Sequence, residues 1–156
     1  MISKFSKFKN SKWLQGHYIP RNLEKYVGDP NKITFRSSWE KRLMIYLDKN
    51  PNVIKWNSEC TVLPYKSPID NQFHRYYVDF SAKIKTKDGD KTFLIEVKPY
   101  VQTQKPVVTK RKKTSTLLEE EKTYLVNQAK WKVAKEYAKK MGAEFIVITE
   151  KELGIE

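Results

Sequence analysis

Asp79, Glu96 and Lys98 are the residues whose types and spacing carry the clearest chemistry in this sequence. They lie in the run YYVDFSAKIKTKDGDKTFLIEVK, residues 76–98, where two alternating stretches meet at Asp88-Gly89. An Asp-Gly pair between alternating apolar runs is a strong β-hairpin signal, because the turn needs positive φ at both central positions. With Asp88 and Gly89 as the loop residues, Lys87 faces Asp90, Ser81 faces Glu96, and Asp79 faces Lys98. Alternation then places Val78, Phe80, Ala82 and Ile84 on one face with Phe93, Ile95 and Val97, the expected core face. The other face gathers Asp79, Glu96 and Lys98, with opposed Cβ atoms about 5 Å apart and the diagonal pair about 7 to 8 Å apart. Two carboxylates beside an ammonium suit a hard divalent cation, Mg²⁺ or Mn²⁺, which takes oxygen ligands and is completed by water and substrate phosphate. Such a cation acidifies bound water and offsets charge developing on a phosphate, while the ammonium orients or helps deprotonate the attacking water. The patch has the parts needed to hydrolyse a phosphodiester. The same residues also suit an exposed sheet face with a cross-strand Asp79–Lys98 ion pair, a common and weakly stabilising feature. A bare Glu-x-Lys is uninformative, since Glu120 to Lys122 repeats it.

A chain of 156 residues, 39% hydrophobic and 13% aromatic, suits a single globular domain. Thirty-one Lys and Arg against eighteen Asp and Glu leave a net charge of +13, which points to a polyanionic partner, nucleic acid first. Cys60 is the single cysteine and His17 and His74 are the only histidines, so neither an intrachain disulfide nor a zinc cluster is expected, in keeping with a reducing, cytoplasmic setting. No run of about 18 apolar residues is present to span a bilayer, and no apolar leader segment follows the N-terminal charges.

Residues 1–25 form a basic-aromatic arm, in which Lys4, Lys7, Lys9, Lys12, Arg21 and Lys25 alternate with Phe5, Phe8, Trp13 and Tyr18. Such an arm contacts phosphates and stacks on unpaired bases, or else lies solvated with its aromatics packed on the domain. Residues 26–156 form the domain. Ser37 to Leu47 has helical spacing in Trp39, Leu43, Tyr46 and Leu47, with Ser37 and Glu40 as a capping box. Glu40 also projects between Met44 and Leu47, at the border of the apolar stripe, where a carboxylate needs a partner or a cation. Val53–Trp56 and Cys60–Tyr65 read as two strands that start the sheet, with Glu59 beside the second. His74 to Tyr77, just before Asp79, are placed to touch substrate, although a metal-activated water would not need His74 as a base. Pro99 ends the strand after Lys98. Tyr100 to Thr116 then holds Lys105, Lys110, Arg111, Lys112 and Lys113 without an acid. It reads as a basic loop able to close over a phosphate backbone, or as a disordered segment with no binding role. Leu117 to Met141 reads as a long helix with Tyr124, Trp131, Ala134, Ala138 and Met141 in one stripe, ending at Gly142. Glu144 to Thr149 is a continuous apolar strand of the kind found at a sheet centre, joined by a right-handed parallel crossover.

The order is helix, three strands, helix, strand: an α/β fold with a mixed central sheet flanked by helices. Asp79 followed by Glu96-Val97-Lys98 resembles the PD-(D/E)XK, or restriction-endonuclease-like, superfamily, whose αβββαβ core has this order, with Val78 here in place of the proline before Asp79. The resemblance implies that Asp79 and Glu96 ligate the metal, that Glu40 completes or supports the metal shell, and that Lys98 positions the attacking water. It also implies a product carrying a 5′-phosphate. Gln128 and Lys130 lie where the superfamily often places a further polar or basic residue, and equally suit a solvated helix face.

Nearly the whole chain also resembles the small head-completion nucleases of large contractile-tailed bacteriophages. The similarity lies in Tyr26-Val27-Gly28-Asp29-Pro30, Lys32-Ile33-Thr34, Arg36-Ser37-Ser38-Trp39-Glu40, Leu47-Asp48-Lys49-Asn50-Pro51, Ile95-Glu96-Val97-Lys98-Pro99 and Lys130-Trp131-Lys132. The chain is similar, too, to the N-terminal domain of transposon-end nucleases. These resemblances imply a metal-dependent deoxyribonuclease acting on double-stranded DNA at the filled head before the tail joins. Phage head and neck proteins would be its partners, in the host cytoplasm during assembly, with retention in the virion left open. The competing expectations are a non-catalytic DNA-binding structural protein of the head or neck, and an RNA-binding module, for which the aromatic sheet-face motif is lacking.

Overall fold

The computed structural model describes residues 15–155; Lys12 and the rest of the arm up to residue 14 lie outside the described residues. A two-residue ladder joins β1 (Gly16–His17) to β2 (Thr34–Phe35). Ser37 caps α1 (Ser38–Lys49), its Oγ accepting the Glu40 amide at 3.1 Å. The main sheet is built from β3 (Val53–Ser58), β6 (Phe80–Thr86), β7 (Gly89–Val97) and β8 (Glu144–Ile148) in that order. The first two pairings are antiparallel and β7–β8 is parallel. After a single-turn α2 (Tyr100–Thr103), the long α3 (Thr114–Lys140) leads to β8. The expected αβββαβ order is present as α1, β3, β6, β7, α3, β8.

Two departures alter what surrounds the site. The stretch after Cys60 does not start the sheet. Its strand β4 (Val62–Lys66) pairs with β5 (Phe73–Tyr77) in a separate hairpin, inserted between β3 and β6. The apolar strand β8 lies at the edge of the sheet, with most of its residues only half-buried.

Each face of the sheet carries a core. Leu43, Met44 and Leu47 of α1 pack on Val53, Trp56, Phe80, Ala82, Ile95 and Val97. Trp131, Ala134 and Ala138 of α3 pack on Leu63, Tyr65, Tyr76, Val78 and Leu94. The second face is therefore no exposed sheet surface: Leu94 and Glu96 are each 3% exposed. Some expected stripe positions point outward, with Tyr46, Leu125 and Met141 exposed.

The central hairpin is shifted from its expected register. Thr86 pairs with Gly89, so Lys87 and Asp88 form the loop, and Ser81 faces Leu94 in place of Glu96. Thr86 explains the choice. Its Oγ1 donates to the Gly89 carbonyl at 2.7 Å and accepts the Asp88 amide at 3.3 Å, while Gly89 takes the positive φ of 106°. A shift of two keeps every side chain on its face, so Phe80, Ala82, Phe93, Ile95 and Val97 share a core as expected. Val78 does not join them. The strand breaks between Tyr77 and Phe80, the Val78 amide donates to Thr61 O at 3.0 Å, and the side chain enters the α3 core.

Residues 18–25 are tied to α1 by Asp48, a fully buried carboxylate. Its Oδ2 accepts the Tyr18 hydroxyl at 2.9 Å and the Arg21 amide at 2.8 Å, and its Oδ1 accepts the Asn22 amide at 3.0 Å. Its carbonyl accepts Asn22 Nδ2 and Lys25 Nζ. Burial works against the charge, but the hydrogen bonds from Arg21, Asn22 and Tyr18 outweigh it and hold the carboxyl below its ordinary range. Asp48→Ala strips three donors of their acceptor and is expected to lower stability by about 2–4 kcal/mol in urea unfolding. The folded state binds the Asp48 proton less readily than the unfolded state, so this carboxylate's stabilisation is complete at neutral pH. The stability gap between wild type and Asp48→Asn is expected to narrow as pH falls below about 4.

Candidate active site

The break that displaces Val78 also places Asp79. It follows β5 and precedes β6, and its Oδ2 accepts the Val97 amide at 2.8 Å, just past the end of the β6–β7 ladder at Phe80 and Ile95. That bond anchors the carboxylate against the end of β7. Glu96, two residues after Leu94, shares the α3 side of the sheet. Its Oε2 accepts the Tyr76 hydroxyl at 2.6 Å, and its Oε1 lies 3.3 Å from Lys98 Nζ. Lys98 is held by its amide, which donates to Ile148 O at 3.0 Å, and its side chain stays 28% exposed. The three expected residues do meet, but not through an Asp79–Lys98 cross-strand pair. The shifted register removes that pairing, and Lys98 forms its ion pair with Glu96.

Lys130 joins them from α3. Its Nζ lies 5.5 Å from the ring centre of Tyr76 and 5.6 Å from that of Tyr65. Burial lowers its pKa and the Lys98 charge adds to this, while Glu96 and Asp79 act in the opposite direction. Lys130 thus belongs to the charged cluster and not to a solvated helix face. Gln128, two positions away, does not share that face and is exposed.

Glu40 approaches from the first turn of α1. Its Oε2 accepts the Arg36 amide at 2.8 Å, so the capping bond reaches Arg36 and not Ser37. Glu40 also contributes at Asp79. Burial is the main cause that pushes Asp79 up to about 7, the Glu96 and Glu40 charges add to it, and the Val97 amide and Lys98 pull it back. Tyr76 is pushed up by burial, then by the charge of Glu96 and the bond to it, so its hydroxyl stays protonated as a donor. The cluster carries more negative charge than its own lysines neutralise at Asp79.

A divalent cation fits that donor set. Asp79 and Glu96 offer oxygen ligands, each ionised carboxylate has about four acceptor sites, and the fixed donors here occupy only part of them. Among the described residues no three His, Cys, Asp or Glu side chains converge as a ready-made cage. Mg²⁺ does not require one, because it keeps several waters and is usually held by one or two carboxylates with substrate phosphate.

The remaining candidates are dispersed. Lys105, Lys110, Arg111 and Lys113 are exposed between α2 and α3, and Arg21 is exposed beside the Asp48 anchor. Lys112 is engaged within the protein, 2.7 Å from Glu120 Oε2 and 2.9 Å from Val107 O. His74 lies 2.7 Å from Asp70, and Glu59 pairs with Arg36. The bond from Tyr76 to Glu96 had no signal in the sequence, since it joins strands of different ladders twenty residues apart.

Residues 50–150 match the family model described as the TnsA-like endonuclease N terminal. The chain is also 41% identical over 138 residues to the head completion nuclease of Enterobacteria phage T4, an alignment covering 86% of this chain and 90% of that protein. The family match spans Asp79, Glu96, Lys98 and Lys130, and begins after Glu40.

The raised Asp79 pKa has a stability consequence with a definite sign. The folded state holds this proton up to about 7, whereas an unfolded aspartate loses it near 3.9, so deprotonation between these values costs the fold stability. The penalty is absent well below pH 4 and complete above pH 7. In chelator, Asp79→Asn is expected to melt several degrees above wild type at pH 8, with the gap reduced to a small remainder at pH 4. Scanning calorimetry at the two pH values checks it.

Proposed function

The chain belongs to the TnsA-like endonuclease N-terminal family, and on that footing we propose that it hydrolyses phosphodiester bonds with a divalent metal. It is a nuclease of phage head completion, an enzyme that acts on DNA. The observation that carries the mechanistic reading is the meeting of Asp79, Glu96 and Lys98 at the end of β7, with Lys130 facing them from α3.

Asp79 and Glu96 would hold Mg²⁺ or Mn²⁺, and Glu40 would complete or support the shell. When bound, the cation supplies Lewis acidity toward the phosphate and its attacking water. Tyr76, as a fixed donor, keeps the Glu96 carboxylate oriented, and Val97 N–H does the same for Asp79. Lys98 positions the water, and Lys130 adds positive charge where the phosphate must lie. Cleavage leaves a 5′-phosphate. Lys105, Lys110, Arg111 and Lys113, with Lys12 and Arg21, hold the backbone of double-stranded DNA with little base readout.

No helix among the described residues is long and apolar enough to cross a membrane. As part of the same proposal, the protein acts in the host cytoplasm during assembly and docks on head or neck proteins.

Supercoiled and linear duplexes incubated with the purified protein test this reading. Mg²⁺-dependent cleavage is expected, stopped by chelator and reduced at least about 100-fold in Asp79→Ala and in Lys98→Ala, with DNA binding retained. A wild-type protein that binds DNA but fails to cut it in Mg²⁺, Mn²⁺ or any other divalent metal would leave the non-catalytic structural role in the head or neck in its place.

A further inference from the structure

Arg36 and Glu59 form a second ionic contact beside the cluster, and their backbones touch two of its members. The Arg36 amide donates to Glu40 Oε2 at 2.8 Å. The Arg36 guanidinium pairs with the Glu59 carboxylate through Nη1 and Oε1, and its Nη2 lies 3.4 Å from Oε2. The Glu59 amide in turn donates to Asp79 O at 3.0 Å, and Asp79 Oδ2 accepts the Val97 amide, next to Glu96. A continuous path of polar contacts therefore joins the start of α1, the end of β3, the start of β6 and the end of β7. Glu59 adopts φ of 55°, a left-handed conformation rare for a residue with a Cβ, at the point where the chain leaves β3.

We propose that the Arg36–Glu59 pair is a positioning clamp that sets the place of Glu40 relative to Asp79, and through it the affinity of the site for its divalent cation. The proposal rests on the metal-dependent reading above. A fork-on-fork guanidinium–carboxylate contact fixes geometry as well as adding attraction, which a lysine in place of Arg36 would not reproduce. Interactions that hold metal ligands from behind commonly change metal affinity 10- to 100-fold. The pair is partly solvated, with side chains 59% and 30% exposed, so its contribution to stability is small and an effect on metal is separable from unfolding.

The sign of one substitution distinguishes position from charge. Removing a cation near a metal site strengthens metal binding on electrostatic grounds alone. If the clamp acts through geometry, Arg36→Met binds Mn²⁺ about 10-fold more weakly in calorimetric titration without DNA. Glu59→Gln weakens it similarly, and the reversed pair, Arg36→Glu with Glu59→Arg, recovers most of the loss. Cleavage by Arg36→Met then needs more Mg²⁺ but approaches the wild-type kcat at saturation, and DNA binding in chelator is unchanged in Glu59→Gln. Wild-type Mn²⁺ affinity in Arg36→Met, or no recovery in the reversed pair, overturns the clamp. So does a loss of DNA affinity in chelator confined to the Arg36 variants, which would make Arg36 a phosphate contact. A wild type that binds no Mn²⁺ overturns the underlying metal reading with it.

Discussion

Two carboxylates, Glu96 buried and Asp79 half-buried, are held together at the junction of a sheet and two helices, and much of the molecule serves to make that arrangement tolerable. Asp79 and Glu96 repel each other, and burial strengthens the repulsion by removing the solvent that would screen it. Each is pinned by a donor that cannot follow a moving side chain far: Val97 N–H for Asp79, and Tyr76 hydroxyl, itself buried, for Glu96. Lys98 and Lys130 bring positive charge to the same place. The Asp79 carboxyl is nevertheless held above its ordinary range, first by burial and then by the Glu96 charge, so ionising it in the empty protein costs the fold stability.

The sheet makes this possible because β7 belongs to both cores. Ile95 and Val97 face α1, whereas Leu94 faces α3. Glu96 lies in the α3 layer, where an aliphatic side chain would be unremarkable. The apolar contacts on either side fix the strand, and the strand fixes the carboxylate. Asp79 depends on a different feature, the interruption between β5 and β6, where the chain passes from the small hairpin to the main sheet. Glu40 comes from a third element, the first turn of α1. The three elements are joined by polar contacts as well as by packing, among them the Arg36 amide on Glu40 and the Glu59 amide on the Asp79 carbonyl.

The central hairpin shows where reading the sequence succeeds and where it stops. Alternation over Phe80–Ile84 and Phe93–Val97 has period two, so it identifies the faces and is unaffected by a two-residue slip. The slip was decided by the Thr86 hydroxyl, which closes the loop one pair earlier than the Asp-Gly signal suggests. Asp79, Glu96 and Lys98 come together in spite of the different pairing, because a shift of two leaves their side of the sheet unchanged. Lys98 was assigned the wrong partner for the same reason. Val78 was misplaced because alternation assumes a continuous strand, and the strand breaks there. Lys130 and Gln128 looked alike in the sequence; only the position of the helix over Tyr65 and Tyr76 separates them.

What the sequence carries on its own is the αβββαβ order of the core, the cap on α1 at Ser37, the shared face of the carboxylates and the lysine, and the net positive charge; the inserted β4–β5 hairpin is not among them. These follow from propensity, periodicity and charge, which act between residues a few positions apart or sum over the chain. The tertiary structure alone decided that Tyr76 holds Glu96, that Lys130 enters the cluster, that Asp48 anchors Tyr18, Arg21 and Asn22, and that Arg36 reaches Glu59. It also decided the surroundings that raise the Asp79 pKa. These are contacts between residues separated by about twenty or more positions, and burial and pKa depend on what surrounds a group in space. No local pattern encodes that; it exists only once the two cores have closed on the sheet.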